Sequence, residues 1–350
     1  MVDVPTWWGN GSLARMSDRH PLPGFVTAHS HAFQRAMRGR AQGDDFWAWR
    51  EAMLEVAEEL NPGGVRSAYE DTYREMRAAG YTAVGEFHYV GLPEAKAAVE
   101  AAAAAGIELV LLLSAYARGG LARFRQPSVA AYLEQVEELR DSGARAGVAP
   151  HSVRACPADW LAAIGAYAER ESLVLHVHAD EQPKEIEECL AEHGVRPIEL
   201  LAQTGCLGPR TTIVHGTHAD ETELSLLAAA GARICVCPLT EANLGDGFLP
   251  VARVREHGIP LCIGSDSNVR VDPLEELREL EGIARRQELR RNVVPVPELL
   301  AIGSAEGAES IGLEEWPEVE ADLAHPSLAG VAGEEVEAAL VFGSGADVFA

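Results

Sequence analysis

Basic residues are scarce in this sequence. Its 350 residues include 29 Lys and Arg against 54 Asp and Glu, which gives a formal net charge of −25. Proteins that bind nucleic acids or anionic membrane surfaces present clusters of Lys and Arg. The composition therefore argues against both kinds of partner. An anionic substrate would have to be held by a few local arginines that overcome the acidic surroundings.

Paired cysteines and long apolar runs are also missing. The six cysteines are scattered and none forms a C-x-x-C pair, so we expect a reduced protein without a disulfide framework. No apolar run approaches the ~20 residues that a membrane-spanning helix requires, and no signal peptide opens the chain. These observations predict a cytoplasmic protein.

Short apolar runs alternate with longer helical stretches through most of the chain. Eight strands that are each followed by a helix predict an α/β fold, a (β/α)8 TIM-type barrel. An open doubly wound sheet is the alternative, but no G-x-G-x-x-G motif follows a strand. The predicted strands cover residues 25–28, 83–87, 109–114, 146–150, 173–177, 212–215, 233–237 and 261–264. The barrel is placed at residues 23–310, between an N-terminal flanking segment (1–22) and a C-terminal one (311–350).

Polar side chains cluster at the ends of six of these strands. Active sites of such barrels form at the carboxyl ends of the strands, so these groups are expected to meet. They are His29 and His31 after the first strand, Glu86, His88 and Tyr89 after the second, His151 and Arg154 after the fourth, His176, His178, Asp180 and Glu181 at the fifth, His215 and His218 at the sixth, and Ser265, Asp266 and Asn268 at the eighth.

A metal site is predicted from this cluster. His29 and His31 are two residues apart, so both side chains point to one face of a strand and can bind one ion. His178 and Asp266 would complete a four-ligand set with an open position for water. Nitrogen and carboxylate ligands favour zinc, with iron as the alternative. His176 competes with His178, which we prefer because it lies nearer the strand end. His176 would then be a deeper core residue, or would support the site through its other ring nitrogen.

Glu181 and His215 are the candidate proton carriers. Glu181 can take a proton from a water molecule activated by the metal and pass it to a leaving nitrogen. His215 can polarise the substrate or stabilise the developing tetrahedral centre, and Asp266 can accept a proton from the water. Ser265 can hydrogen-bond the surroundings of Asp266 or the substrate.

Arginines at the predicted barrel mouth suggest capture of a carboxylate. Arg50 stands in the aromatic stretch "DDFWAWR", which is either a lid or an anchor for a helix, and Arg154 follows His151 by three residues. Guanidinium groups bind carboxylates through two parallel hydrogen bonds. An ordinary surface ion pair explains the same spacing equally well, so both interpretations stay open at this point.

The motifs "HSH", "HADE", "VHGTHAD" and "GSDSN" resemble the mononuclear deaminases of the amidohydrolase superfamily over about residues 22–290. Within this superfamily, the stretches that resemble the formimidoylglutamate deiminases are "HSHAFQRAMRG", "FWAWRE", "GEFHYV", "APHSVRA" and "HADEQPKEIEE". That resemblance implies hydrolysis of N-formimino-L-glutamate to N-formyl-L-glutamate and ammonia in histidine degradation, by a dimer with one divalent ion per subunit. Members of this family carry a small β-sandwich, so we expect a reduced or truncated one here. They also carry an insertion after "FHYV", where this chain continues directly with "GLPEAKAAVE".

The resemblance also implies roles for individual residues. It assigns the metal to His29, His31, His178 and Asp266, proton transfer to Glu181, and contact with the imino group to His215. It assigns substrate binding to Gln34, Arg50, Tyr89, His151 and Arg154, with Arg154 reaching a carboxylate across a dimer interface.

Several alternatives remain. The substrate could be N-formimino-L-aspartate, one methylene shorter, or a heterocyclic amine. An amide or cyclic-amide hydrolase with two metals commonly uses a bridging carboxylated lysine, and "VAPHSVRA" contains no lysine. A binding module without activity is a further alternative, against which the complete ligand set and Glu181 argue.

Overall fold

The computed structural model describes residues 19–40, 42–43 and 45–349. Its largest sheet has eight parallel strands in the order β2 to β9, and β1 pairs with β10 in a separate sheet. The ten strands are β1 (Arg19–Pro23), β2 (Phe25–Ser30), β3 (Tyr81–His88), β4 (Glu108–Ala115), β5 (Ala146–Pro150), β6 (Leu175–Ala179), β7 (Thr211–His215), β8 (Arg233–Val236), β9 (Leu261–Ile263) and β10 (Glu318–Asp322). All eight predicted strands are present in the barrel, and the predicted (β/α)8 fold is confirmed.

Helices connect the strands and cover the outside of the barrel. The α-helices are α1 (Phe46–Glu59), α2 (Pro62–Ala78), α3 (Leu92–Ala105), α4 (Val129–Asp141), α5 (Ala158–Glu171), α6 (Pro183–His193), α7 (Pro197–Gln203), α8 (Glu221–Ala230), α9 (Pro238–Leu244), α10 (Val251–Glu256), α11 (Pro273–Glu288), α12 (Val296–Ile302), α13 (Ala305–Ser310) and α14 (Val336–Gly343). A 3-10 helix, Ala32–Met37, follows β2.

Local sequence explains where these helices begin and end. Asp220 caps α8 by accepting the backbone N–H groups of Thr222 and Glu223, which have no partner within the helix. Gly106 ends α3 in the left-handed conformation with φ of 70°, which glycine adopts without the steric cost of a Cβ.

The barrel closes between β2 and the turn that follows β9. The backbone N–H of Asp266 donates to the carbonyl of His29 over 3.0 Å, and that of His31 donates to the carbonyl of Asp266 over 2.8 Å. Every residue of β2, β3 and β6 is buried, as expected for parallel strands covered on both faces. Closure thus brings the first and last barrel strands together where predicted metal ligands lie.

The flanking segments meet in a small antiparallel sheet. β1 pairs with β10 in the register Arg19 with Asp322 through Pro23 with Glu318. Residues 1–18 of the predicted N-terminal segment lie outside the described residues. At the amino end of β8, Arg233 donates to the carbonyl of Glu306 in α13 over 3.1 Å. No helix within the described ranges is both long enough and apolar enough to cross a membrane.

Candidate active site

The four predicted metal ligands converge at the carboxyl end of the barrel. His29 Nε2 lies 3.1 Å from His178 Nε2 and 3.5 Å from Asp266 Oδ1. His31 Nε2 lies 3.5 Å from the same carboxylate oxygen. All four side chains are buried, and the ligand nitrogens of the three histidines lie within 4.8 Å of one another. The ring nitrogens therefore share one small space with a carboxylate oxygen.

Backbone carbonyls orient two of these imidazoles. Nδ1 of His31 donates to the carbonyl of Phe87 over 2.8 Å, and Nδ1 of His178 donates to the carbonyl of His151 over 2.9 Å. Each bond places the proton on Nδ1 and leaves the lone pair of Nε2 facing the cluster. Backbone carbonyls in β3 and directly after β5 thus hold the rings of His31 and His178 in a geometry suited to metal binding.

The electrostatics of the cluster also suit a cation. Burial lowers the pKa of His29 to about 3 and lowers the pKa values of His31 and His178, so the rings are neutral at pH 7. Burial alone would raise the pKa of Asp266, but the hydrogen bond with His29 and the neighbouring imidazoles hold it below its ordinary value. Three neutral imidazoles and one carboxylate are a donor set that fits zinc. Their buried, mutually facing nitrogens fit one shared ion.

Two site residues hold strained backbone conformations. His215, at the end of β7, has φ of 73°, and Asp266, after β9, has φ of 43°. Residues other than glycine adopt this left-handed backbone conformation at a cost of roughly 1–3 kcal/mol, and such residues concentrate at functional sites. The side chains of these two residues approach each other, with His215 Nε2 3.8 Å from Asp266 Oδ2.

His215 lies between three carboxylates. Its Nε2 is 3.7 Å from Glu181 Oε1 and 3.8 Å from Asp266 Oδ2, and its Nδ1 is 3.2 Å from Glu241 Oε1. Burial alone would lower the pKa of His215, but these carboxylates raise it to about 10. Glu181 and His215 therefore stand beside the metal ligands with polar atoms suited to moving or holding a proton.

A cavity opens above the cluster. Its walls combine the two proton-carrying candidates with five of the predicted substrate contacts and an apolar rim. The lining residues include Gln34, Arg50, Tyr89, His151 and Arg154 together with His31, His178, Glu181, His215 and Asp266. Gln34 Nε2 donates to the hydroxyl of Tyr89 over 2.8 Å, which ties two walls of the cavity together.

The two cavity arginines differ in their surroundings. Arg154 Nη2 lies 3.4 Å from Glu181 Oε2, and its Nε lies 3.4 Å from Glu185 Oε1. Arg50 Nη1 lies 3.1 Å from Glu51 Oε1, and 28% of the Arg50 side chain is exposed. Arg154 is therefore the more buried of the two and is paired with two carboxylates, whereas Arg50 is the more exposed.

Two predicted supporting residues lie away from the cavity. Ser265 is not part of its lining; its hydroxyl is 3.0 Å from the Thr27 hydroxyl, so it joins β2 to the end of β9. His176 faces the opposite end of the barrel, where its Nε2 donates to the carbonyl of Ser310 over 2.9 Å. Of the two roles predicted for His176, the structure therefore favours the deeper core residue, because its position two residues before His178 places it one layer deeper in the barrel.

Other cavity residues escaped the sequence analysis. In α1, the positions 46, 49, 53 and 54 line the cavity beside the predicted Arg50, and their helical spacing could have indicated one shared face. The stretch "FWAWR", residues 46–50, thus lies over the cavity mouth. Tyr116 packs on His151 with ring centroids 4.5 Å apart, and Glu241 contacts His215. Neither has a local sequence signal, since only the folded barrel brings them to the site.

A (β/α)8 barrel with a histidine and aspartate cluster at its carboxyl end is the architecture of a metal-dependent hydrolase. The sequence model of the Amidohydrolase family matches residues 22–316 of this chain. The chain is 40% identical over 300 residues to formimidoylglutamate deiminase from Pseudomonas aeruginosa, a match that covers 77% of this chain and 66% of that protein. It is 31% identical over 302 residues to 5-methylthioadenosine/S-adenosylhomocysteine deaminase from Natronomonas pharaonis, covering 84% of this chain and 69% of that one.

Solved structures give the same result for the fold. An amidohydrolase from Brucella melitensis superposes with a TM-score of 0.84 at 31% identity, covering 94% of this chain and 84% of that one. An adenosine deaminase from Xanthomonas campestris, solved with bound zinc, superposes with a TM-score of 0.86 at 22% identity, covering 95% and 78%. The chain belongs to the amidohydrolase family.

Proposed function

We propose that the protein is a metal-dependent hydrolytic deaminase that converts N-formimino-L-glutamate and water to N-formyl-L-glutamate and ammonia. The observation that carries this proposal is the cavity lining: Arg50 and Arg154 lie above the metal cluster, beside Glu181 and His215. A substrate that bears carboxylates on one end and a C=N group on the other matches both halves of this cavity. The 40% identity to a formimidoylglutamate deiminase supports the same substrate.

The metal would be held by His29, His31, His178 and Asp266. A divalent ion in such a site lowers the pKa of a water molecule toward ~7 and polarises the group under attack. Zinc fits this donor set, and a relative of the same fold was solved with zinc.

The protein's own residues then move the proton. The carboxylate of Glu181 accepts one proton from the attacking water and a second from the hydroxyl group of the tetrahedral adduct, and delivers both in turn to the imino nitrogen. That nitrogen then leaves as ammonia, so one C=N bond is replaced by one C=O bond. His215 Nε2, 3.7 Å from Glu181 Oε1, contacts the imino nitrogen. Proton transfer by a positioned carboxyl group of this kind accelerates reactions by about 10²–10⁴-fold.

The cavity walls would orient the substrate. The more exposed Arg50 and the more buried Arg154 bind carboxylates, and Gln34, Tyr89 and His151 supply polar contacts along the walls. The lining favours an anionic substrate over a neutral nucleoside, because two guanidinium groups would otherwise face an uncharged ligand. We further propose that the protein acts in histidine degradation as a cytoplasmic homodimer, on the strength of its resemblance to the formimidoylglutamate deiminases; light scattering of the purified protein measures the subunit number.

A steady-state comparison of substrates tests the proposal. Ammonia release by the zinc-loaded protein is measured with N-formimino-L-glutamate, N-formimino-L-aspartate and 5′-methylthioadenosine. We expect the highest kcat/KM with the glutamate derivative. One methylene is worth only about 1–3 kcal/mol in a binding pocket, so the aspartate derivative is expected to react more slowly rather than not at all. Turnover of the nucleoside without turnover of either formimino compound would contradict the substrate assignment.

A further inference from the structure

Glu241 has no assigned role, yet its side chain touches the imidazole of His215. It lies in α9, on the loop side of β8, and only 2% of it is exposed. Its Oε1 is 3.2 Å from His215 Nδ1 and accepts the backbone N–H of Cys237 over 2.9 Å. One carboxylate oxygen thus contacts both the ring of a site residue and the backbone that follows β8.

The opposite side of the imidazole faces the reaction cavity. His215 Nε2 lies near Glu181 Oε1 and Asp266 Oδ2, at 3.7 and 3.8 Å. Because a carboxylate can only accept hydrogen bonds, the contact with Glu241 requires a proton on Nδ1. The tautomer of a histidine is set by the bond that its other nitrogen makes. Nε2 is therefore the atom left to act on the substrate.

The backbone conformation of His215 increases the need for the contact with Glu241. Its φ of 73° places the residue in a region where neighbouring contacts must hold the conformation. The hydrogen bond from Cys237 fixes Glu241 against β8, and the hydrogen bond to Nδ1 fixes the ring of His215 against Glu241. Two neighbouring strand ends are thereby joined through one side chain.

We propose that Glu241 is a positioning residue that keeps a proton on Nδ1 of His215 and aims Nε2 at the substrate's imino nitrogen. This inference rests on the proposed deaminase function. The geometry makes Oε1 the effective atom, since the same oxygen makes both contacts. A glutamine can offer an equivalent carbonyl oxygen, so Glu241→Gln should preserve the arrangement and Glu241→Ala should abolish it.

The experiment compares both variants with the wild type as zinc-loaded proteins. We expect Glu241→Ala to lower kcat for N-formimino-L-glutamate by about 10–100-fold, the loss typical of removing such a supporting contact, with KM and zinc content unchanged. Glu241→Gln should restore most of kcat. Nitrogen-15 spectra of the imidazoles, recorded without substrate, should show a proton on Nδ1 of His215 in the wild type and in Glu241→Gln, and partial loss of that proton in Glu241→Ala.

Glu276 provides the matched control. It is also fully buried, and its Oε2 accepts the backbone N–H of Leu239 in the same helix α9 over 2.9 Å. Glu276→Ala should lower the melting temperature without changing kcat, which separates a weakened helix from a misplaced imidazole.

Three results would overturn the inference: an unprotonated Nδ1 on His215 in the wild type, full kcat in Glu241→Ala, or equal impairment of the Gln and Ala variants. If the wild type does not turn over N-formimino-L-glutamate, the proposed function fails, and the imidazole spectra still decide the role of Glu241.

Discussion

The backbone N–H of His31 donates to the carbonyl of Asp266 over 2.8 Å, so the bond that closes the barrel joins two of the candidate metal ligands. The ligand His29 is likewise bonded through its carbonyl to the backbone of Asp266. Strands β2 and β9 are distant in the chain, and each contributes to the cluster only when the barrel is closed. Metal binding and barrel closure are therefore expected to stabilise one another.

Removal of a ligand should remove the metal. We expect Asp266→Asn to weaken zinc binding by at least about tenfold, because even supporting residues around a metal contribute that much. Zinc content is measured by elemental analysis after dialysis. Asp272→Asn is the control, since Asp272 caps α11 without reaching the cluster; it should keep the full zinc content. Equal zinc content in both variants would contradict the assigned ligand set.

Loss of the proton carrier should spare the metal. Glu181→Gln should lower kcat by about 10²–10⁴-fold, because the neutral amide cannot transfer the proton. Zinc content should stay unchanged, since Glu181 is not one of the four ligands. The matched control is Glu188→Gln, a change of an exposed carboxylate in α6, which should keep wild-type kinetics. Wild-type turnover in Glu181→Gln would show that another group carries the proton.

The two arginines should give different kinetic effects. Arg50→Gln is expected to raise KM about 10–100-fold with a smaller change in kcat, since a hydrogen bond to a charged group is worth about 1.5–3 kcal/mol. Arg154→Gln should also lower kcat, because Arg154 lies 3.4 Å from Glu181 Oε2. Arg66→Gln, which alters an exposed pair with Glu100, is the control. Unchanged KM in both cavity variants would exclude carboxylate capture by these residues.

Glu86 should make stability depend on pH. Burial raises the pKa of Glu86 from 4.5 to about 8, so the folded protein holds a proton that the unfolded chain releases. This contribution to stability is complete below about pH 4.5 and is lost as the pH rises through about 8. Glu86→Gln mimics the protonated form and keeps an oxygen for the N–H of Ala32, which Glu86 Oε1 accepts over 2.8 Å.

The melting temperatures of both proteins measure this effect. Glu86→Gln should exceed the wild type at pH 8.5, and the difference should shrink toward pH 5. Glu100→Gln, at an exposed site, should show no such trend. A difference that grows toward low pH would mean that Glu86 is ionised in the folded protein.

Because β2 packs closely against β3, a side chain added at Gly85 is expected to destabilise the protein. A Cβ at this position would lie 2.5 Å from the carbonyl oxygen of Ala28 and 2.6 Å from Ile311 Cγ2. Gly85→Ala should therefore lower the free energy of unfolding by at least about 1–3 kcal/mol, the usual cost of overpacking. Gly208→Ala is the control, because nothing lies within 4 Å of the added methyl group. Urea denaturation curves should separate the two variants, and equal midpoints would contradict the packing described here.

The barrel could be predicted from sequence because its signals are local. Apolar runs of strand length alternate with helices, and the predicted strand at residues 146–150 coincides with β5. The strand predicted at 173–177 begins two residues later, at Leu175, because Ser172 ends α5 in the left-handed conformation and two further residues lead into the strand. Hydrophobicity alone does not mark such a boundary.

The four candidate metal ligands could also be predicted from the sequence, whereas the residues around them could not. His29, His31, His178 and Asp266 each follow an apolar strand, so topology alone brings them together. Ser265 also follows a strand, but its side chain points to Thr27 rather than into the cavity. Tyr116 and Glu241 reach the site through strand and helix packing that no short motif encodes. Orientation within the folded barrel, rather than residue type, separates these cases.

Ammonia release as a function of bound zinc is the most direct measurement. The metal-free protein is reconstituted with increasing zinc, and turnover of N-formimino-L-glutamate is recorded at each level. We expect activity to rise in proportion to bound zinc and to reach a plateau at one ion per subunit. Activity that is independent of zinc, or absent with one ion bound per subunit, would contradict a single-metal deaminase acting on this substrate.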